Sequence, residues 1–306
     1  VTQPAGTWAS ARAYEEYVGR WSRAVAALAV PALEVASGSR WVDVGCGTGV
    51  VSGAVLEEAA PRLLVGVDRS AAFLAAADDL VRDPRAAFVA GDAAALPIGD
   101  GTADAVVSGL LLTFLPDPRS AVAEWRRVLR PGGALGLYVW DHAEGMQLMR
   151  VLWDAAVELD PAAVNLDEGR RSVWCRPGPL RRLAESAGFE AVDVGALDVP
   201  TVFRDLDDYW QPFPGGTGPA PAYVTGLAPD AREELRAGGP PAAPPARRLD
   251  PAGRAGLAGP GSRLTVRRCG RRARRDAATA RRTSGRRRRR PGRPPLPRPR
   301  SGATGR

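Results

Sequence analysis

Trp41-Val42-Asp43-Val44-Gly45-Cys46-Gly47-Thr48-Gly49 decides the fold of this 306-residue chain. Trp41 to Val44 is a short apolar strand. Glycines at 45, 47 and 49 let the backbone turn sharply and approach a ligand with no Cβ in the way. A helix from about Val50 to Ala60 follows at once. Its N-terminus offers unpaired N–H groups and the positive end of a dipole, a favourable seat for a carboxylate. Strand, glycine turn and helix form the first unit of an open α/β sheet, which binds ligands at the carboxyl ends of its strands. A G-x-G-x-G turn alone is a weak signal, because dinucleotide binders use G-x-G-x-x-G.

The pattern repeats outward from that unit. Strands are expected at Leu63–Val67, Ala87–Ala90, Ala103–Ser108 and Ala134–Trp140, with an Ala/Leu-rich helix over Ala71–Val81. Pro118 starts another helix at its first turn, where the missing N–H costs nothing, and Arg130-Pro131-Gly132-Gly133 ends it. Short apolar strands separated by helices argue for a parallel sheet covered on both faces. Right-handed crossovers make it doubly wound, a Rossmann-like α/β fold. A helix over Ala13–Val30 precedes the first strand. Helices at Met146–Leu159, Pro179–Ala187 and within Ala222–Arg236 follow the fifth, with Gly188 suited to a C-terminal cap. Glu190–Val199 alternates like a further strand.

Composition divides the chain. Residues 237–306 carry 21 arginines against Asp250 and Asp276, a net +19, and residues 1–236 carry 21 arginines against 32 acids, a net −11. The overall pI of 10.3 therefore describes the tail and not the body. There is no lysine and a single isoleucine, Ile98, the mark of a GC-rich gene, so Arg in place of Lys reflects base composition. Cys46, Cys175 and Cys269 are too dispersed for a disulfide framework or a zinc site and fit a reducing cytoplasm. No apolar run is long enough to span a membrane, and no signal peptide is evident.

Acids at successive strand ends sharpen the first signal. Asp43 precedes the first glycine by two residues, Asp68 closes the second strand beside Arg69, and Asp92 follows the third in Gly91-Asp92-Ala93. Asp68 could accept from both hydroxyls of a ribose and Asp92 from an adenine amino group. In these pieces the chain resembles the class I S-adenosylmethionine-dependent methyltransferases, in particular the small-molecule branch with the ubiquinone and menaquinone methyltransferases. The matching stretches are VDVGCGTG (42–49), GVDRS (66–70), GDAAALP (91–97), DAVVSGLLLTFLPD (104–117) and VLRPGG (128–133). The resemblance covers roughly residues 38–140, and it implies S-adenosyl-L-methionine as cofactor. It implies that Gly45, Gly47 and Gly49 cradle the methionine part and that Asp68 holds the ribose. Asp92 and the Ala93 N–H would hold the adenine, and Ser108 to Leu110 would line the transfer chamber. GRWSR (19–23), with Trp21, resembles the helix that closes over the cofactor.

His142, the only histidine, follows the fifth strand on the functional edge and is the candidate general base. Residues 141–236 are expected to build the acceptor side. Trp140, Met146, Met149, Trp153, Trp174, Tyr209, Trp210 and Phe213 suggest an apolar, partly aromatic lining there, against the plainer alternative that most of them are core. The expected activity is methyl transfer to a small, apolar or aromatic acceptor, with no metal and nothing that specifies an oligomer. The runner-up is a non-catalytic or RNA-directed nucleotide-binding protein that uses the basic tail. A dehydrogenase binding NAD stands third, disfavoured by the glycine spacing and by Asp92.

Residues 237–306 are rich in Gly, Pro, Ala and Arg, with Arg286–Arg290 as a run, and they lack hydrophobic periodicity. Such a segment is expected to be disordered. Its charge would bind polyanions without specificity, since aromatic residues for stacking are absent. The favoured reading is translation in a wrong frame. With GC-rich codons chosen for Arg248–Thr265 and the first base dropped, the text reads Ala-Arg-Ala-Trp and soon stops, like the closing strand of the resembling family. On this reading the chain as written lacks that strand.

Overall fold

The computed structural model describes residues 19–215 and 218–238, and the backbone of 262–268. One sheet of seven strands organises them: β1 Arg40–Val44, β2 Leu63–Asp68, β3 Ala86–Ala90, β4 Ala103–Gly109, β5 Leu129–Trp140, β6 Val192–Leu197 and β7 Ser262–Arg268. Their spatial order is β3-β2-β1-β4-β5-β7-β6. Strands β1 to β5 pair in parallel. The chain moves outward from β1 to β3, then crosses back to lay β4 on the other side of β1. That reversal leaves a crevice at the carboxyl ends of β1 and β4, the place where open α/β sheets bind ligands.

The helices are α1 Arg20–Ala29, α2 Val50–Glu58, α3 Ala71–Val81, α4 Pro118–Val128, α5 Gln147–Leu159, α6 Glu168–Arg171 and α7 Pro177–Ser186. Four more follow: α8 Leu206–Trp210, α9 Pro212–Gly215, α10 Pro219–Gly226 and α11 Pro229–Ala237. Their starts follow local chemistry. Ser70 caps α3 by accepting the Phe73 N–H, and Asp117 caps α4 by accepting from Arg119 and Ser120 ahead of Pro118.

Strand residues alternate between two cores, one on each face of the sheet. Trp41, Ala105, Val107, Tyr138 and Trp140 join α1, α2 and α5 on one side. Val42, Val44, Val106, Leu135, Leu137 and Val139 join α4 and α7 on the other. Both faces are apolar because both are covered, which is why these strands read as nearly continuous hydrophobic runs, interrupted by Asp43 in β1 and Asp104 in β4.

Several expectations need correction. The Arg130–Gly133 turn belongs to β5, which begins at Leu129; a register shift between Ala103 and Ala105 absorbs it. The helix expected within 222–236 is two, broken where Gly226 ends α10 and Pro229 starts α11. The described part of the first helix starts at Arg20, and the expected residues before 19 lie outside the described ones. The largest correction concerns the closing strand. Ser262–Arg268 runs antiparallel between β5 and β6, pairing Gly136 with Val266 and Gly195 with Leu264. The chain as written thus supplies the strand it was expected to lack, from a segment read as structureless. Leu264-Thr265-Val266 are strand-forming residue types inside the Arg-rich stretch. Residues 239–261 and 269–306, where the remaining expectations for the tail fall, lie outside the described residues. No helix among the described residues is long and apolar enough to cross a membrane.

Candidate functional site

The glycine turn is held by backbone bonds at the end of β1. Gly45 N–H and Cys46 N–H both donate to the Val67 carbonyl, at 2.7 and 3.1 Å, and Gly49 N–H closes the turn onto the Cys46 carbonyl at 2.9 Å. Gly45, Gly47 and Gly49 have φ of 71, 53 and 87°, a region that disfavours any residue with a Cβ. Their surroundings differ. A Cβ on Gly45 would lie 2.6 Å from the Leu111 side chain and one on Gly49 would lie 2.9 Å from Val81, whereas a Cβ on Gly47 would meet nothing. Gly47 therefore presents bare backbone to open space. No side chain among the described residues caps the α2 N-terminus, which follows at Gly49.

Asp68 ties the turn to the neighbouring strand. Its Oδ2 accepts the Gly47 N–H at 3.0 Å and its Oδ1 accepts the Ser70 N–H at 2.8 Å. Each carboxylate oxygen keeps a second acceptor position, so the group can take two further hydroxyls while fixing the loop. Asp92 is exposed, with Oδ1 accepting from Ala94 N–H at 2.8 Å and Oδ2 4.0 Å from Arg69 Nε. Ala93 is buried, and its carbonyl accepts the Trp125 indole N–H at 2.9 Å, which fixes the loop after β3. In-register pairing of Asp43 with Gly66 and of Asp68 with Ala90 brings these strand ends to one edge.

Asp43 is fully buried. Ser52 Oγ on α2 donates to its Oδ2 at 2.7 Å, and its Oδ1 has no hydrogen-bond partner. Burial pushes its carboxyl up to about 7, and the Asp68 charge adds to the effect. Because the folded-state value is raised, the folded chain holds a proton that the unfolded chain gives up. The cost to stability thus begins above the ordinary carboxylate range and is complete above about pH 7. Asp43→Asn keeps the bond from Ser52 and removes the ionisation. Without ligand, the variant is expected to melt several degrees above the parent at pH 8 and close to it at pH 5. A pH-independent difference in a melting series would contradict this.

Ser108 and Gly109 serve the strand end. Ser108 is buried and donates to the Val44 carbonyl at 2.8 Å, a latch between β4 and β1. Gly109 leaves room for Tyr138, since a Cβ there would lie 2.4 Å from the tyrosine hydroxyl oxygen. Leu110, at φ 62°, then turns the chain out of the sheet. Trp21 is buried and packs edge-on against Phe203, with ring centroids 5.5 Å apart. Burial pushes the Cys46 thiol up, so it is no nucleophile.

His142 lies in a turn after β5 that is tied by Asp141, whose carbonyl accepts from Gly145 and Met146 and whose Oδ1 accepts the Glu144 N–H. Burial and the nearby Arg150 push its imidazole down to about 4. It is therefore neutral at pH 7 and a weak base. Trp140, Met146, Met149, Trp153, Tyr209 and Phe213 are buried in one cluster with Trp210 against it, while Trp174 packs on the other face of the sheet. The sequence reading passed over the acids Asp167 and Glu168. Asp167 is buried and holds both terminal nitrogens of Arg150, and Glu168 accepts the Trp153 indole N–H at 2.6 Å. The adjacent acids sit among many other charged residues of that half, so the sequence carried no signal for them. No group of residues that could hold a metal is present among the described residues.

A family model for a methyltransferase domain matches residues 42–137. The demethylmenaquinone methyltransferase of Roseiflexus castenholzii is 31% identical over 196 residues, which cover 59% of this chain and 81% of that protein. Among solved structures, a methyltransferase from an antibiotic biosynthesis pathway of Anabaena variabilis superposes with a TM-score of 0.54 at 19% identity, covering 80% of this chain and 96% of its own. The [4+2]-cyclase SpnF superposes at 0.52 with 21% identity, covering 81% of each chain. These two likenesses are of fold, and a fold does not fix the chemistry it carries.

Proposed function

We propose, from the premise that the chain belongs to the class I S-adenosylmethionine-dependent methyltransferases, that it methylates a small, apolar or aromatic acceptor in the cytoplasm. The cofactor of this family supplies a methyl group already activated on a sulfonium. The observation that carries the residue assignment is Asp68, which fixes the bare backbone of Gly47 and keeps acceptor positions free on both oxygens. In this reading the Gly45–Gly49 turn and the uncapped α2 N-terminus receive the methionine carboxylate, and Asp68 holds the ribose hydroxyls. Asp92 accepts from the adenine amino group, and Ala93 offers its N–H to the ring. Asp43 supports the loop through Ser52, Arg69 flanks Asp92, and Trp21 and the Ser108–Gly109 strand end border the chamber.

The protein's own work is then alignment. Holding two reactants in line can supply on the order of 7–11 kcal/mol of barrier reduction. A strong base is not required for that, and a neutral His142 fits the requirement. Most of the aromatic cluster on that side is core, and its partly buried margin at Trp210 and Phe203 supports an apolar acceptor. The buried free thiols of Cys46 and Cys175 suit a reducing compartment.

Incubation of the full-length chain with methyl-tritiated S-adenosylmethionine and a fractionated bacterial extract tests the acceptor class. Label is expected in a low-mass, solvent-extractable product. Label confined to tRNA or protein would overturn the small-molecule reading. A second reading, RNA contact through the Arg-rich segment, draws on its net charge of +19.

A further inference from the structure

Asp43 carries more than its support of the glycine turn requires. It is fully buried at the end of β1, where only Val44 separates it from Gly45. Ser52 Oγ donates to its Oδ2 at 2.7 Å, while Oδ1 is shut off from solvent with no hydrogen-bond partner. The residues that pair with it in β2 and β4, Gly66 and Val107, are uncharged. On α1, which packs on the same face of the sheet as Trp41, Arg23 is exposed. Among the described residues no cation bonds to Asp43.

Its titratable neighbours do not help it ionise. The Asp68 carboxylate acts on it from the end of β2, and the Cys46 thiol, itself pushed up by burial, is neutral. A buried carboxyl with one donor, one unpaired oxygen and a second carboxylate for a neighbour keeps its proton. Burial, with the Asp68 charge adding to it, raises the group to about 7. Below that pH the chain by itself carries a proton there, which a positive charge arriving at the strand end would expel. The methionine part of the family's cofactor has an ammonium and a carboxylate that cancel. The sulfonium is the charge left over, and loss of the methyl group turns it into a neutral thioether. Donor and product therefore differ at this edge by one positive charge.

We propose that Asp43 tells the sulfonium donor from the thioether product, giving up its proton while the donor is bound and taking it back once the product is left. This rests on the cofactor edge assigned above. The effect works through charge across the glycine turn and needs no direct contact, because charges in a buried site are screened little. The proton goes to solvent when the donor binds and is recovered from solvent after the transfer. Because the donor prefers the ionised carboxylate, its affinity rises with pH and levels off above about pH 7. The affinity of the product stays flat.

The test titrates the full-length chain with S-adenosylmethionine and with S-adenosylhomocysteine. Calorimetry at pH 7 in buffers of different ionisation enthalpy counts the protons released. The donor is expected to release roughly half a proton per chain and the product close to none. Between pH 5.5 and 7 the donor's affinity is expected to rise about fivefold, and the product's to stay within about twofold. Asp43→Asn keeps the bond from Ser52 and is expected to abolish both the proton release and the pH slope. Ser52→Ala keeps the carboxyl and removes its donor, so the same slope is expected to move to higher pH. If Asp43→Asn does not fold, that shift decides. Equal proton release by donor and product, or a release that survives Asp43→Asn, would overturn the assignment and leave the cofactor edge standing. If neither ligand binds a chain that is folded by circular dichroism, the cofactor edge falls, and this assignment with it.

Discussion

Replacing Asp68 with alanine is expected to weaken S-adenosylhomocysteine binding at least about 100-fold. The carboxylate is proposed to accept from two ribose hydroxyls, and charge-assisted bonds of that kind contribute roughly 1.5–3 kcal/mol each. Two of them correspond to at least about two orders of magnitude in affinity. A second loss accompanies the first. Asp68 also fixes Gly47 and Ser70, so its removal frees the glycine turn that receives the methionine part. Asp68→Asn keeps one acceptor oxygen and is expected to fall between the parent and the alanine variant. Titration calorimetry reads all three. An alanine variant within threefold of the parent would remove Asp68 from the site.

Ending the chain at residue 261 is expected to cost at least about 10 °C in melting temperature, while ending it at residue 271 costs little. Strand β7 hydrogen-bonds to β5 over Ala134–Trp140 and to β6 over Val192–Leu197. Among the described residues β6 has no strand neighbour except β7, so truncation at 261 detaches β6 and opens the edge of β5. Unpaired edges of that length invite association between chains. For a domain of this size, roughly 2–4 °C of melting temperature corresponds to 1 kcal/mol, so several kcal/mol of lost pairing is readily seen. The same pair of truncations weighs the RNA reading. If residues 272–306 are its contact surface, ending at 271 abolishes RNA retention and leaves S-adenosylhomocysteine binding intact. Equal stability of the two truncated chains would show that Ser262–Arg268 does not hold the sheet together.

The parallel half of the fold was legible because its strands are buried on both faces. Trp41–Val44, Leu63–Val67 and Ala103–Ser108 carry no polar alternation to confuse them, and each ends at a glycine, an acid or a turn. The closing strand was not legible. Seven residues with three arginines in a Gly/Pro/Arg-rich stretch give no periodic signal, and their pairing comes from β5 and β6, far back in the chain. Since Ser262–Arg268 closes the sheet in the frame as written, the proposed change of reading frame is not needed to complete it. Sequencing the gene around codons 236–248 decides that question directly.

The proposed cofactor edge follows from the sequence for a related reason. In a parallel sheet every strand ends on the same side, so Asp43, Asp68 and Asp92 fall along one edge once the strands are known. Glu168 was hidden because its partners Trp153 and Ala220 come from other helices, and no local spacing joins them. His142 was singled out as a candidate base, but burial and the nearby Arg150 make it neutral and a poor base.

Calorimetric titration of S-adenosylhomocysteine into the full-length chain, with NAD as the counter-ligand, tests the central claim most directly. Micromolar binding of one S-adenosylhomocysteine per chain, with no heat from NAD, is the predicted result. A chain that is folded by circular dichroism and binds NAD, or that ignores S-adenosylhomocysteine, would contradict it.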